Sequence, residues 1–461
     1  MKTLVDPNRA LAPGLAEVRT RFQVPASFPP EVLAAADAAA ARAPTQHADW
    51  TDRAFVTLDP AASTDLDQAF AIEASGADLI LHYAIADVAW FVDDGGPIDV
   101  EAWARGMTQY LPDGKAGLYP PVLSEGVASL LPAGPRPAVV FTVRVAPDGG
   151  VRLDGATRAV VRSRAKLAYD SVRPADLPPG FAELSARIKD AEARRGASRV
   201  DPPEQEVADL GAQGFTLRFR PRLASEDQNA ALSLATNMAV ADALQAHATG
   251  LFRVMPEPDE GAVKRLRRTA RAFGLKWPDM ATLAQFERRL DPTDPKQAAF
   301  MLAVRRAGAP AAYTPYEAGV IPWHAAMAAT YAHATAPLRR LADRYVVQAA
   351  LAVANGRPVP DAVTEAFPKL PAVMARAASQ GGQIDRAVID LAEAVMLRGR
   401  QGEVFDAVVT DVDERGARMQ LCDLPVVARI AAPGAGPGQA LRVRLATADP
   451  DHPPATFERA V

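Results

Sequence analysis

The sequence predicts an α+β fold in three parts, on three observations. Residues 1–50 carry apolar residues at helical spacing, residues 54–165 contain several short strand-like runs, and the residues after 400 alternate apolar and polar positions between turns. Long helical stretches fill the interval between the last two. We therefore expect a short helical segment at 1–50, a mixed domain at 51–400 and a small all-β barrel of the OB type at 401–461.

The composition is that of an ordinary globular protein, with 461 residues, 49% hydrophobic and 23% charged. The single cysteine, Cys422, excludes an intramolecular disulfide and a cysteine-based zinc site, which favours the cytoplasm. No leader-like segment or membrane-length apolar run is present, so we expect no membrane association. The net charge of -4 excludes a generally basic nucleic-acid binder but allows a local basic channel. Nothing in the pattern indicates an obligate protein partner, and we expect a monomer.

The N-terminal segment predicts two helices. Leu11, Leu15, Val18 and Phe22 recur at helical spacing, and a proline pair precedes an alanine-rich stretch from Glu31 to Arg42. A packing pair of helices is the preferred interpretation, and a helix-turn-helix is the alternative.

Three carboxylates follow the strand-like run Ala54 to Leu58. Asp59 stands at the strand end, and Asp65 and Asp67 are two residues apart, so an extended backbone would point both to one side. Converging acids repel unless a cation neutralises them, and an all-oxygen ligand set favours Mg²⁺ or Mn²⁺. A solvated, aspartate-rich turn is the alternative interpretation.

Along the middle of the chain, predicted strands come first and predicted helices follow. The predicted strands are Phe70–Ile72, Leu79–Ile85, Val139–Val145 and Val151–Arg162. The predicted helices include Phe181–Arg195, which ends at Gly196, then Ala230–Ala248 and the basic Gly261–Gly274. For the basic helix, a solvated face is the preferred interpretation over a phosphate-binding surface.

The stretch from Tyr331 to Gly356 also predicts a helix, which opens with Thr335 as N-cap and closes at Asn355 and Gly356. Arg339 and Arg340 then lie near the helix N-terminus, where the helix dipole disfavours positive charge. Two explanations stay open: an anion such as a phosphate docks at this helix end, or Arg339 pairs with Asp343 one turn on.

The last 60 residues predict five short strands separated by turn residues, which suggests the OB-type barrel. Phe405 is almost the only aromatic residue on these strands, so binding of a single-stranded nucleic acid there would depend on charge.

Taken together, these stretches resemble the ribonuclease II family, whose members share the RNB catalytic domain. The resemblance covers about residues 50–400 and rests on the order and spacing of several motifs. These motifs are TLDPAASTDLDQA (57–69), IADV (85–88), RGMTQYLP (105–112), SRAKLAYDSV (163–172), RRGASRVDPPE (194–204) and TAPLRRLADR (335–344). The C-terminal barrel is similar to the OB-fold RNA-binding domain that follows the catalytic domain in this family.

The resemblance implies a hydrolytic exoribonuclease that works from the 3′ end of single-stranded RNA with Mg²⁺ or Mn²⁺ and releases nucleoside 5′-monophosphates. By the motif match, three of the family's four active-site acids fall on Asp59, Asp65 and Asp67. Arg339, followed by Arg340 as a further phosphate contact, matches the catalytic arginine. Tyr110 matches the tyrosine that packs on the 3′-terminal nucleotide, and Tyr169 matches one that lines the RNA path; for both tyrosines a role in the core is the alternative.

The chain departs from the family pattern at three places. Gln68 stands where the fourth aspartate belongs, and its amide offers a metal only a neutral carbonyl oxygen. Asp385, beside Arg386, aligns with a family glutamate that contacts the substrate. Only about 50 helical residues precede the catalytic domain, where the family carries β-barrels. Two rival functions therefore remain: a catalytically impaired RNA-binding member of the family, and an unrelated Mg²⁺-dependent phosphoesterase.

Overall fold

The computed structural model describes residues 3–197, 204–220, 222–291, 294–413 and 416–460. Most of the motif RRGASRVDPPE, at 198–203, lies outside the described residues. Helices and strands are numbered in chain order.

The N-terminal segment contains a short strand and the two predicted helices: β1 (Leu4–Asp6), α1 (Leu11–Arg21) and α2 (Pro30–Ala40). The backbone N–H of Leu11 donates a hydrogen bond to the Asp6 carboxylate at 2.8 Å, which satisfies a free donor at the start of α1. Leu11, Leu15 and Val18 form the buried face of α1, as their spacing predicts. Gly14 lets α1 approach a later helix closely, because an added Cβ would lie 2.6 Å from Cδ2 of Leu391.

The next part of the chain builds a closed five-stranded barrel. Its elements and the short insertion within it are β2 (Ala48–Asp59), β3 (Gln68–Ser75), β4 (Asp78–Ala86), α3 (Pro97–Arg105), β5 (Gln109–Leu111), β6 (Gly114–Ala116), β7 (Arg136–Val145) and β8 (Val151–Ala168). The barrel order is β2-β3-β4-β7-β8, and β5 and β6 form a separate hairpin. The predicted strands are present, and the parallel pairing of β2 with β8 closes the barrel.

Helices and short strands then cover the barrel. They are α4 (Phe181–Arg195), β9 (Glu204–Asp209), β10 (Phe215–Arg220), α5 (Ala224–Ala246), β11 (Leu251–Val254), α6 (Glu260–Ala272), α7 (Leu283–Glu287), α8 (Pro295–Ala307), β12 (Ala312–Pro315), β13 (Trp323–His324), β14 (Ala329–Thr330), α9 (Leu341–Ala354), α10 (Asp361–Ala366) and α11 (Leu370–Met396). The strands pair as β1-β10-β9, β11-β12 and β13-β14. The bounds predicted for α4 are confirmed, and Gly196 ends it in the left-handed conformation with φ 80°.

The predicted helix start, with Thr335 as N-cap, is wrong, because α9 begins only at Leu341, with Arg340 as its N-cap. The Asp343 carboxylate accepts hydrogen bonds from the N–H groups of Thr335 and Ala336, at 3.1 and 2.8 Å. These N–H groups are thereby held in a loop ahead of the helix.

The C-terminal residues form a five-stranded antiparallel sheet, which confirms the predicted small barrel. The strands are β15 (Val404–Asp413), β16 (Gly416–Leu421), β17 (Val427–Ile430), β18 (Ala440–Thr447) and β19 (Thr456–Arg459), in the order β17-β16-β15-β18-β19. Their alternate residues, such as Val409, Met419 and Val443, are completely buried. Phe405 packs edge-on to Phe457 inside this part of the chain.

Three hydrophobic clusters form the core. The largest joins the barrel to α5 and α9. A second joins α1, α11 and the C-terminal sheet. A third lies between α6 and α8. Four basic residues of α6 are exposed on its outside, as predicted for a solvated face: Lys264, Arg265, Arg268 and Arg271. Arg267 is instead partly buried, with its guanidinium over the Trp277 ring. Among the described helices, none is long and apolar enough to cross a membrane.

Candidate active site

The predicted acids lie in and beside the loop that joins two barrel strands. Asp59 is the last residue of β2, Gln68 is the first of β3, and Asp65 and Asp67 lie in the loop between them. Leu66 is completely buried, and its N–H donates to the Ser129 hydroxyl at 2.9 Å. The loop is therefore anchored by Leu66, between the two aspartates.

Asp67 connects this loop to the segment before α9. Its side chain is 5% exposed, its Oδ1 accepts a hydrogen bond from the N–H of Leu338 at 2.7 Å, and its Oδ2 lies 3.2 Å from Nε of Arg339. The Arg339 side chain is 46% exposed, and Asp67 is its one ion-pair partner within the described parts of the chain. Asp67 thus holds the Arg339 guanidinium beside the acids while part of that guanidinium faces solvent.

Arg340 plays a different part from the predicted phosphate contact. Its guanidinium makes two hydrogen bonds to the completely buried Asp343, at 2.9 and 2.6 Å, and its side chain is only 19% exposed. The alternative pairing of Arg339 with Asp343 is wrong, because Arg340 takes that place. Arg340 and Asp343 stabilise the loop that carries Arg339. These contacts do not support the predicted role of Arg340 in binding substrate.

Asp65 binds two side chains of the β5-β6 hairpin. Its Oδ1 lies 2.8 Å from Nζ of Lys115, and its Oδ2 accepts a hydrogen bond from the Tyr110 hydroxyl at 3.2 Å. The same ammonium lies 3.2 Å from the Glu125 carboxylate. Tyr110 is 49% exposed, so its ring remains accessible beside the acids.

Gln68 is held entirely within the protein. Its Oε1 accepts hydrogen bonds from the hydroxyls of Tyr83 and Ser233, the latter at 3.1 Å, and its Nε2 donates to the carbonyl of Thr335 at 2.6 Å. The Tyr83 and Ser233 hydroxyl oxygens also lie 2.7 Å apart, so their two hydrogens are shared among three contacts, and the amide is held at both its oxygen and its nitrogen by protein groups. The prediction that Gln68 offers an oxygen to a metal is therefore not supported by the geometry.

We expect Gln68→Asp to lower activity, although it restores the acid of the family pattern. A carboxylate cannot donate to the Thr335 carbonyl, and it would add a charge to a largely buried hydrogen-bond network. Steady-state rates across a Mg²⁺ titration measure the effect, and Gln68→Glu serves as the size-matched control that also lacks the donor. Higher activity of Gln68→Asp at low Mg²⁺ would show that the missing charge, and not the lost donor, limits the site.

The remaining predicted residues divide between two places. The Tyr169 hydroxyl accepts a hydrogen bond from Asn229 at 2.9 Å, and the Tyr169 N–H donates to the carbonyl of Asp59 at 3.2 Å, so Tyr169 adjoins the acids. Asp385 and Arg386 lie on α11. Arg386 lines a cavity of about 510 Å³ between α1, α11 and the loop 450–454, and none of the acids of the active-site loop lines that cavity.

The electrostatics of Asp59 and Asp67 bear on whether these residues fit a divalent cation. Burial raises the pKa of each to about 7, against the opposing effect of the Arg339 charge. The Arg339 charge therefore does not fully stabilise the ionised form of either carboxylate, and a bound cation would stabilise it further. In the described parts of the chain no group of three or more His, Cys, Asp or Glu side chains is arranged to hold a metal ion. Mg²⁺ is commonly bound through one or two carboxylates, with water and substrate phosphate as its other ligands. The Arg339 charge acts on both Asp59 and Asp67, so these two carboxylates lie near one cation and are the ones suited to hold the metal.

These shifts predict how stability depends on pH. A carboxyl whose pKa is raised in the folded state stabilises the fold at low pH, and that stability is lost as the pH rises from about 4 to about 7. We expect Mg²⁺ to raise the free energy of unfolding more at pH 8 than at pH 5, because protons compete with the metal at low pH. Urea unfolding with Mg²⁺ or with chelator measures this difference. An equal Mg²⁺ effect on Asp67→Asn would contradict the proposed ligand.

Sequence reasoning missed Lys115 and Ser233. For Lys115 a signal existed in the turn-forming residues Pro112 and Asp113: a two-residue turn there pairs Leu111 with Gly114 and places Lys115 directly opposite Tyr110. Ser233 contacts Gln68 and Tyr83 from a distant part of the chain, which no local pattern indicates.

Comparison with known protein families gives two matches. The model of the RNB domain matches residues 47–354, more than half of the chain. The model of the RNase II-type exonuclease C-terminal S1 domain matches residues 403–460.

Curated relatives match over most of the chain. Ribonuclease R 1 of Lactococcus lactis is 24% identical over 88% of this chain and 53% of its own length. Exoribonuclease 2 of Cronobacter sakazakii is 28% identical over 84% of this chain and 62% of its own length. The chain thus spans less than two thirds of the length of either relative.

A solved structure shares the fold. RNase R of Mycoplasma genitalium, in complex with ribose-methylated single-stranded RNA, superposes with a TM-score of 0.86 over 98% of this chain and 78% of the other, at 20% identity. The closed barrel with its loop of acids, the RNB match over residues 47–354 and the S1 match that follows agree with one another. The chain belongs to the RNB-domain family of ribonuclease II-type proteins.

Proposed function

We propose that this protein is a hydrolytic exoribonuclease that degrades single-stranded RNA from the 3′ end to nucleoside 5′-monophosphates with Mg²⁺, or alternatively Mn²⁺. The observation that carries the proposal is the pairing of buried Asp67 with half-exposed Arg339 beside Asp59, at one end of the barrel of an RNB domain. The names of the relatives, ribonuclease R and exoribonuclease 2, support the same reaction.

Each residue of the site has a proposed role. Asp59 and Asp67 would hold the divalent cation, which when bound supplies an activated water and charge stabilisation at the phosphate. Arg339 contacts the charge that develops on the phosphate, and its planar fork suits two oxygens at once. Tyr110 packs on the terminal base, with Asp65 accepting a hydrogen bond from its hydroxyl at 3.2 Å. Tyr169 lines the RNA path.

The proposed function divides the chain into three parts. We propose 1–50 as a helical segment, 51–400 as the catalytic domain and 401–461 as the RNA-binding barrel. Strand β18 exposes Arg442 and Arg444, which are suited to phosphate contacts on a barrel whose aromatic Phe405 is partly buried. We propose that the protein acts in the cytoplasm as a monomer.

A second candidate, an RNA-binding member with impaired catalysis, is favoured by one observation. Gln68 lacks the charge of an acid, and its oxygen is engaged by two hydroxyls. This candidate predicts RNA binding without turnover.

The distinguishing experiment uses single-stranded RNA labelled at its 5′ end, with Mg²⁺ or with chelator. We expect a labelled ladder that shortens from the 3′ end in Mg²⁺ only, and chromatography of the same reaction should show unlabelled nucleoside 5′-monophosphates. Internal fragments, or equal activity in chelator, would refute the proposal. Binding without any hydrolysis would establish the impaired member instead.

A further inference from the structure

Lys115 occupies an unusual position for a surface lysine. It lies on β6 directly opposite Tyr110 on β5. Its ammonium is 2.8 Å from Asp65 and 3.2 Å from Glu125, and these two carboxylates belong to different parts of the chain. The Asp65 side chain is only 9% exposed, and that of Lys115 is 22% exposed. The ion pair is therefore largely shielded from solvent.

Its partners are themselves fixed. Oε2 of Glu125 accepts a hydrogen bond from the Thr64 hydroxyl at 2.8 Å, and the Thr64 carbonyl accepts one from Ser129 at 2.7 Å. The second oxygen of Asp65 accepts from Tyr110. The ammonium thus lies between two carboxylates that are each held in place by other groups. A mobile ion pair on the surface contributes little stability, and this ion pair is not of that kind.

The charges of the site divide into two groups. Asp67 has the Arg339 guanidinium, and Asp65 with Glu125 has the Lys115 ammonium. Asp59 has no such ion pair among the residues that the structure describes, although the positive charges of Arg339 and Lys166 act on it together with the negative charge of Asp65. Loss of the ammonium would leave two carboxylates, those of Asp65 and Glu125, without their paired cation.

We propose that Lys115 is a positioning residue that acts as a built-in cation of the active site. It neutralises Asp65 and Glu125, keeps these carboxylates from recruiting a second divalent ion, and leaves Asp59 and Asp67 as the metal-binding pair. The inference rests on the proposed metal-dependent function and deepens it, because it sets how many divalent ions the free protein takes up.

The experiment counts Mn²⁺ ions bound to the full chain, without RNA, by electron paramagnetic resonance of the unbound ion. We expect one Mn²⁺ on the parent protein. Lys115→Met keeps the length of the side chain and removes its charge, and we expect it to bind a second Mn²⁺, or the first at least about tenfold more tightly, since a nearby positive charge has been removed. Lys115→Gln is the second neutral variant, in case the methionine disturbs the hairpin.

Three controls separate this role from a structural one. Lys115→Arg keeps the charge and should restore the parent stoichiometry. Lys264→Met removes a 71% exposed lysine from α6 and should change nothing. Lys115→Met combined with Asp65→Asn should return to one ion, because the carboxylate that recruits the second ion is gone.

The outcomes are distinct. Mn²⁺ binding by both neutral variants that equals the parent's, with only a lower melting temperature, overturns the role of Lys115 and leaves the proposed function standing. A gain that persists in the double variant with Asp65→Asn also overturns it. A parent protein that takes up no Mn²⁺, either alone or with inorganic phosphate added, refutes the metal-binding pair itself, and the inference with it.

Discussion

Replacing Asp67 with asparagine is expected to reduce RNA hydrolysis to below about one thousandth of the parent rate, the upper range for loss of one preorganised electrostatic group. The amide oxygen can still accept the hydrogen bond that Leu338 now donates to Asp67 at 2.7 Å, so the loop should keep its conformation. What disappears is the charge that faces Arg339 and the proposed metal. RNA binding should remain, because the change removes no positive charge.

The measurement pairs single-turnover hydrolysis with fluorescence anisotropy of labelled RNA in chelator. Asp94→Asn, at an exposed loop position, is the matched control and should behave like the parent protein. If Asp67→Asn hydrolyses RNA at the parent rate, the acid loop is not the active site.

Replacing Arg339 with lysine should lower turnover about 100-fold or more, although the side chain keeps its positive charge. Lysine can still pair with Asp67, so the fold and the proposed metal site should be little affected. The loss comes from geometry, because a guanidinium presents two donors in one plane to a phosphate and an ammonium acts as a point charge.

Arg268→Lys on the exposed face of α6 provides the control for an arginine outside the site. The maximal rate and the RNA concentration at half that rate should be measured separately. A fall in the maximal rate supports a contact made in the transition state, and a change confined to the half-saturating concentration would assign Arg339 to ground-state binding only.

Much of the fold could be predicted because its signals are local. Helix α4 combines an amphipathic pattern with a terminal glycine, Gly196, and its bounds match the prediction. The five C-terminal strands are separated by turn residues, which makes their number readable. Asp59, Asp65 and Asp67 are close in sequence, and one loop after a strand keeps them close in space.

The failures have two physical causes, a local side chain that competes with the helix and contacts between distant groups. Ahead of α9 the competitor is local, because the buried Asp343 accepts hydrogen bonds from the N–H groups of Thr335 and Ala336. The environment of Gln68 comes from Tyr83, Ser233 and Thr335, which lie on three other segments. Barrel closure also depends on parallel pairing of β2 with β8, about a hundred residues apart, which alternation along one strand cannot reveal.

The contact of α1 with α11 has a consequence for how the chain folds. Leu11 and Leu15 belong to the same cluster as Leu391 of α11 and Val443 of the C-terminal sheet, so the first helix and the last domain complete one core. During synthesis, the apolar face of α1 is made long before α11 and the C-terminal sheet, against which it packs. Contacts so distant in sequence form slowly, because a long loop must close first. The barrel can assemble early, because its last strand ends at Ala168 of 461 residues, whereas docking of the two ends should be the last step of folding.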